Sequence, residues 1–255
     1  MRNDYVSGLE NYRKQVRSTF PQVDLARLEF QFEALKDWSL KGDLNDFCDW
    51  YESQQSACQM SVSDIPLADC RGWEFDDETG QITHSSGEFF VVQGVRITTS
   101  TSREVTSGWD QPILTQVGFD GGLLGLLRRR IDGVPHYLVE AKAEPGNPDK
   151  VQISPTLQAT FSNLKKAHNG AKPRFAEYFE SPGRNNAEIL FDQWMSEDGG
   201  RLYLKRNKGM LVEVPEAHTI NTPPSFYWAS LFQLKQLIKI NSWVNPHVRS
   251  IISHL

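Results

Sequence analysis

Residues 136–144, HYLVEAKAE, alternate in a way that constrains the backbone to a strand. With a period of two, Tyr137, Val139, Ala141 and Ala143 share one face, and His136, Leu138, Glu140, Lys142 and Glu144 share the other. The first face belongs on a core. The second carries an acid, a base and an acid in succession, and the polarity continues through PGNPDKVQISPTLQATFSNLKKAHNG to Gly170, in a region whose neighbours are β-prone. A face of this kind is either the wet side of an antiparallel sheet or the wall of a pocket.

Upstream, residues 4–20, 24–38 and 43–59 read as helices. Leu28, Phe32 and Leu35 recur at helical spacing, and Asp43-x-x-Asp46 resembles a capped start before Phe47, Trp50 and Tyr51. From Trp73 the pattern changes to short β-prone runs, with DDETGQ as a hairpin turn ahead of ITHSSGEFFVVQGVRITTS. PILTQVGF, GLLGLLRRRI, HYLVEAKA, AEILFDQWM, RLYLKR and MLVEV follow as strand candidates, a number that suits a curved sheet or small barrel. Near the end, SFYWASLFQLKQLIKI places Tyr227, Leu231, Leu234 and Ile238 on one helical face. Asn245-Pro246 then reads as N-cap and first residue of a last helix, 246–254. With no repeat and no long linker, the expectation is a single α+β domain over 1–255: a helical region to residue 60 and a β-rich core from residue 70, closed by C-terminal helices.

A 255-residue chain that is 39% hydrophobic can bury a proper core, which argues against disorder. The net charge of -5, spread along the chain, argues against duplex nucleic acid as a partner. MRNDYVSGLENYRKQV has no apolar leader core, and no window reaches the roughly 20 apolar residues of a membrane span, so a soluble cytoplasmic protein is expected. Cys48, Cys58 and Cys70 are odd in number and lack C-x-x-C spacing; they read as reduced packing residues, and no metal site is expected.

TLQATFSNL fits a helix through Leu157, Phe161 and Leu164, and a strand through Leu157, Ala159 and Phe161. Pro155 and the threonine and serine content favour strand. Thr156, Gln158, Thr160 and Ser162 would then share a polar face, able to join Glu140, Lys142 and Glu144. EPGNP is explained as a tight turn. The basic clusters KKAHNGAKPR (165–174) and KRNK (205–208) are solvated surface or a diphosphate site. Trp109 and Trp194 are core residues or platforms for a base. Motifs for a P-loop, a dinucleotide fold, a serine nucleophile elbow and an H-E-x-x-H zinc site are all missing from the sequence.

Several collinear segments together resemble the NDP-hexose 2,3-dehydratases of deoxysugar biosynthesis. They are GWDQPILTQVGFDGGLLGLL (108–127), HYLVEAKAEPGNPDKVQISPTLQATFSN (136–163), DQWMSEDGGRLYLKRNKGM (192–210), FYWASLFQLKQL (226–237) and VNPHVRSII (244–252). W-x-x-D-x-x-T-G-x-I-x-H (73–84) followed by SGEFF fits the same family. Two departures stand out: the family generally carries two tandem modules where this chain has length for one, and Glu140 stands where the resemblance leads us to expect glutamine.

The resemblance implies a module similar in architecture to Nudix hydrolases, without their magnesium-binding glutamate box and so without pyrophosphate hydrolysis. It implies a dTDP-linked 4-keto-6-deoxyhexose as substrate, loss of water across carbons 2 and 3, a 3,4-diketo-2,6-dideoxy product, no redox cofactor, and a downstream 3-ketoreductase as a partner in sequence. A single module further implies a homodimer. Proton chemistry then nominates Glu144 as base, Lys142 as the cation for the enolate or a phosphate, and Tyr178 or His168 as acid. Gln152, Ser154, Thr156, Gln158, Ser162 and Asn163, with Glu140 in the same wall, are expected to hold sugar and nucleotide. Lys205 and Arg206 would meet the diphosphate, Asn207 would bind the substrate beside them, and Trp109 or Trp194 would lie near thymine. The competing expectation is a nucleotide-sugar-binding or partner subunit that keeps the pocket without turnover.

Overall fold

The computed structural model describes residues 2–88, 90–98, 107–119, 121–164, 172–197 and 200–255. His168, with Lys165 and Lys166 of the first basic cluster, lies outside the described residues.

Three helices form where periodicity places them: α1 (Arg2–Thr19), α2 (Leu25–Leu35) and α3 (Leu44–Ala57). Asp24 caps α2 by accepting from the Ala26 N–H, and Asp43 and Asp46 cap α3 reciprocally. Each cap satisfies backbone donors that have no partner in the helix, which is worth ~1 kcal/mol. The rings of Tyr5, Phe32 and Trp38 pack together over Val134. Phe30, Phe47 and Tyr51 reach into the main core, where the Tyr51 hydroxyl donates to the Val151 carbonyl at 2.7 Å.

The strands divide between two sheets. The smaller has the order β1 (Trp73–Asp76), β2 (Gln81–His84), β3 (Phe90–Ile97), β4 (Trp109–Gln116) and β10 (Leu202–Tyr203), with β10 parallel to β4. Its first hairpin turns as expected: Asp76 accepts from the Glu78 N–H and the Thr79 hydroxyl, and Gly80 takes φ +68°. The larger sheet runs β12 (Phe226–Ala229), β6 (Val134–Ala143), β5 (Gly122–Ile131), β11 (Arg206–Val214), β9 (Glu188–Ser196). β7 (Val151–Pro155) pairs with β6, and β8 (Leu157–Thr160) with β5.

Strand β5 explains its own unbroken apolar run. Leu124 and Leu126 join the core that faces α3, α6 (Leu231–Leu237) and α7 (Pro246–Ile252), while Leu123 and Leu127 join the opposite cluster. Both faces are covered, so alternation is lost. Gly125 lets α5 (Ala176–Glu180) come close, because a Cβ there would lie 2.5 Å from the Phe179 ring. On β6 the alternation holds: Tyr137, Val139 and Ala141 pack on the first core and Leu138 on the second.

Three expectations are corrected. SFYWASLFQLKQLIKI is not helical throughout: Tyr227 lies on β12, paired to β6, and α6 begins only after Ser230 caps it with Gln233. β-prone Phe226, Tyr227 and Trp228 fill a sheet edge before the cap permits a helix. RLYLKR is not one strand, since Leu204 adopts φ +52° and separates β10 from β11. TLQATFSNL is strand only to Thr160; Phe161–Leu164 form one helical turn, α4, so Ser162 leaves the strand face. Asn245 and Pro246 open α7 as expected, the Asn245 side chain accepting from the His247 N–H. All three cysteines are free thiols.

Candidate functional site

Where the two sheets meet, a cleft of about 230 Å³ opens between Phe90 of β3 and Leu124 of β5. Its polar wall is drawn from distant parts of the chain. Lys142 and Glu144 come from the end of β6, and Gln158 and Thr160 from β8, whose other residues, Leu157 and Ala159, point into core. Glu197 and Lys205 come from the link between β9 and β11, Asn207 from the start of β11, Asn163 from α4, and His247 from α7.

Lys142 and Glu144 form an ion pair of 2.9 Å at a mouth where the Glu144 side chain is 37% exposed. Glu144 is placed by its N–H, which donates to the Lys150 carbonyl, and by the Asn147 turn that the EPGNP sequence prescribes. Deeper in, the Lys205 ammonium donates to the Gln116 side-chain oxygen, sits 4.0 Å from Glu197 and lies over the Phe90 ring at 5.5 Å. Burial pushes Lys205 below the ordinary lysine range, with Glu197 holding against it. Asn207 donates to Glu197 Oε2 at 2.7 Å, and the other Glu197 oxygen faces His247 Nε2 at 3.8 Å. Burial pushes His247 below the usual imidazole value, against the pull of Glu197. Oε1 of Gln158 is buried with no hydrogen-bond partner among the described residues. An orphaned acceptor in a cleft is a place for a ligand hydroxyl.

Several residues expected to touch a ligand hold the wall together instead. Gln152 donates to the Ser242 carbonyl at 2.8 Å, Ile153 exchanges backbone bonds with Trp243 and Asn245, and the segment bearing His247 is thereby fastened to β7. Thr156 accepts from the Leu127 N–H and donates to the Leu138 carbonyl, bridging β5 and β6 at the bend between β7 and β8. Ser154 is fully buried opposite Glu140. The Glu140 carboxyl is pushed up to about 7 by burial, with Lys142 and Arg174 opposing and Glu144 adding to the rise. The Ser162 hydroxyl pairs with Thr160 at 2.9 Å. His136 is structural: Nε2 accepts from the Leu40 N–H and Nδ1 meets the Val134 carbonyl, while burial takes it down to about 4.

Beside the cleft, a second hollow of about 530 Å³ is lined by Trp194, Tyr203 and Arg206 and shares Lys205 with the first. Trp194 is 44% exposed, and the Arg206 guanidinium lies over its ring at 4.7 Å. Tyr178 is elsewhere, against Phe175 and His218 at the second core cluster. Trp109 sits at the start of β4 with its indole N–H on Gln111 at 2.7 Å, outside both hollows.

The structure thus gathers Lys142, Glu144, Gln158, Asn163, Lys205 and Asn207 in one cleft and Trp194 with Arg206 in the next. Sequence reasoning missed Glu197, His247 and Phe90. Glu197 and His247 both lie within segments that carry the family resemblance, DQWMSEDGG and VNPHVRSII, and that was the available signal. Among the described residues, no group of three or more His, Cys, Asp or Glu side chains is placed to share a metal ion.

A family model described as NDP-hexose 2,3-dehydratase matches residues 44–255. A dTDP-4-dehydro-6-deoxy-α-D-glucopyranose 2,3-dehydratase of Saccharopolyspora spinosa is 37% identical over 208 residues, covering 82% of this chain and 41% of the relative. Enzymes of the same name from Amycolatopsis orientalis and Streptomyces violaceoruber are 35% and 34% identical, with 43% and 46% of their lengths covered. The chain therefore spans less than half the length of these curated relatives. Among solved structures, it is similar to an Ap4A hydrolase of C. elegans (TM-score 0.31, 15% identity, 52% of this chain and 92% of that one). A Nudix hydrolase of M. smegmatis is likewise similar (TM-score 0.32, 13% identity, 58% and 87%). The family model covers most of the chain, and the chain belongs to the NDP-hexose 2,3-dehydratase family.

Proposed function

We propose that this chain removes water across carbons 2 and 3 of a nucleotide-linked 4-keto-6-deoxyhexose, with dTDP as carrier, giving a 3,4-diketo-2,6-dideoxy sugar. The observation that carries this reading is the cleft itself: buried Lys205, the Glu197 and His247 pair and the unpartnered Gln158 oxygen around one 230 Å³ hollow. Family membership supplies the substrate class.

A ketone at carbon 4 acidifies the proton on carbon 3. Elimination therefore needs a base at carbon 3, a cation or donor at the developing enolate oxygen, and an acid for the departing hydroxyl on carbon 2. The cleft offers groups for all three. The reaction is redox-neutral and asks for no electron carrier. Gln158 and Asn163 would bond sugar hydroxyls; Lys142, paired with Glu144 at the mouth, and Arg206 would meet the diphosphate; Trp194 would offer its exposed ring to the base.

The test is incubation with dTDP-4-keto-6-deoxyglucose in deuterium oxide. Deuterium at carbon 3 of recovered substrate is expected there, and in ordinary water the sugar should lose the mass of one water, with the product trapped by a ketoreductase. Binding of dTDP with an unchanged sugar would leave a nucleotide-sugar-binding subunit as the function.

We further propose that the chain works in the cytoplasm as a homodimer ahead of a 3-ketoreductase. No described helix is long and apolar enough to cross a membrane. Phe75 on the edge strand β1 is 63% exposed in a sheet that is only half-buried, a surface that a second copy would cover. Light scattering at micromolar concentration should report twice the 29.1 kDa chain mass, and a monomer would remove the dimer.

A further inference from the structure

Two kinds of histidine sit on this scaffold. Both ring nitrogens of His136 are engaged inside the protein. His247 differs: among the described residues neither of its ring nitrogens makes a hydrogen bond, its backbone N–H alone being held by Asn245. Its Nε2 borders the cleft, 3.8 Å from a carboxylate oxygen, which is too long for a hydrogen bond and short enough to steady a positive charge. We infer that His247 takes the carbon-3 proton of the substrate and that Glu197 stabilises the imidazolium so formed. This rests on the dehydratase reading above.

The supports of the pair are built for position. Glu197 is fixed at its far oxygen by Asn207 and at its backbone N–H by the Lys205 carbonyl, 3.1 Å away. His247 is fixed by the Asn245 cap, which is itself bonded to Ile153 of β7, and by the Gln152 bond to Ser242 upstream. The charged groups that face the ring are Glu197, Lys142, Lys205 and Glu144. Two cations oppose two carboxylates, and burial favours the neutral, proton-accepting ring at neutral pH. Glu144, the acceptor expected from sequence, is less suited: its charge is already balanced by Lys142 at 2.9 Å, in the open mouth of the cleft.

The step balances within the chain and substrate. His247 Nε2 takes the carbon-3 proton, and the electrons of that bond enter the enolate spanning carbons 3 and 4, whose oxygen is met by the Lys205 ammonium. The bond between carbon 2 and its hydroxyl then breaks, and the hydroxyl leaves as water with the proton that His247 carried. The 3-hydroxyl proton moves to carbon 2 as the enol tautomerises, and His247 is again neutral.

The experiment follows exchange at carbon 3 of dTDP-4-keto-6-deoxyglucose in deuterium oxide across pH, with dTDP binding by calorimetry alongside. His247→Asn should lose exchange by about 10²- to 10⁴-fold while dTDP binds within about threefold of wild type. Glu197→Gln should slow exchange by at least about tenfold and move the acidic limb of the profile to lower pH, because the carboxylate that raises the imidazole is gone. That displacement is not expected of a residue that only maintains the fold. If His247→Asn does not fold, the limb in Glu197→Gln decides alone. Wild-type exchange with either an active His247→Asn or an unmoved limb overturns the assignment and leaves the dehydratase reading standing. A wild-type protein that binds dTDP and neither exchanges nor dehydrates overturns both.

Discussion

The large sheet carries two charged clusters, and they are built on opposite principles. Under α2, Arg128 of β5 is 2% exposed and binds Glu33 at 2.7 Å, Glu29 at 3.3 Å and Glu213 of β11. Arg130 takes Glu29 at 2.7 Å, Tyr137 donates to Glu33 at 2.7 Å, and Tyr5 donates to Glu29 at 3.1 Å. Burial works against the Arg128 charge, yet Glu33 with its neighbours raises its pKa above the ordinary arginine value. In the cleft the contacts are mixed: Lys142 and Glu144 close at 2.9 Å and Asn207 holds Glu197 at 2.7 Å, but Glu197 stands 3.8 Å from His247 and 4.0 Å from Lys205, and Gln158 keeps an acceptor unfilled. Charges that have short partners hold the helices to the sheet. Charges with gaps between them have capacity left for a ligand.

The contrast is sharpest at Arg128. Arg128→Met leaves Glu33 buried without its cation, and a loss of about 3–5 kcal/mol of stability is expected by denaturant unfolding. Glu33→Leu in the same chain should recover part of it, because the orphaned charge is then gone. A single variant as stable as wild type would show that the cluster does not pin α2.

A smaller effect belongs to Glu140, between the two regimes. Its folded pKa of about 7 exceeds the ordinary value of 4.5, so the folded state holds a proton that the unfolded chain releases. Its contribution is fully present below pH 4.5 and is lost as pH rises through about 7. Glu140→Gln, which also restores the residue that the family resemblance leads us to expect, should flatten that decline and gain about 1–3 kcal/mol at pH 8. Parallel stability profiles for the two proteins would refute the assignment. The smallest change in stability, within about 1 kcal/mol, is expected for the His247→Asn variant used above, since its ring makes no internal hydrogen bond. A larger loss would place His247 with the pinning cluster.

Much of this was legible along the chain. The helix at Leu25 announced itself by the spacing of Leu28, Phe32 and Leu35, that at Leu44 by its aspartate cap, β6 by its alternation, and α7 by Asn245-Pro246. Lys142, Glu144 and Gln158 stand out because polar groups interrupt otherwise β-prone runs, Lys205 because it opens the basic cluster KRNK, and all four line the cleft. Thr156, Ser154 and Gln152 drew attention for the same reason but serve the backbone. A polar side chain looks alike in sequence whether its partner is a carbonyl or a substrate. Tyr227 was misplaced on a helix because a short apolar run fits both periods, and only its pairing with Val139 selects strand.

The sequence by itself determined most of the helices, the alternation of β6 and the family, since caps, periodicity and collinear motifs are local and additive along the chain. Which polar residues form a site was decided by tertiary structure alone. Glu197 and His247 are fifty positions apart, and they meet because β7 grips the segment ahead of α7 while Asn207 turns the carboxylate toward it. Proximity of that kind is a property of strand order and register, which no spacing within a motif records.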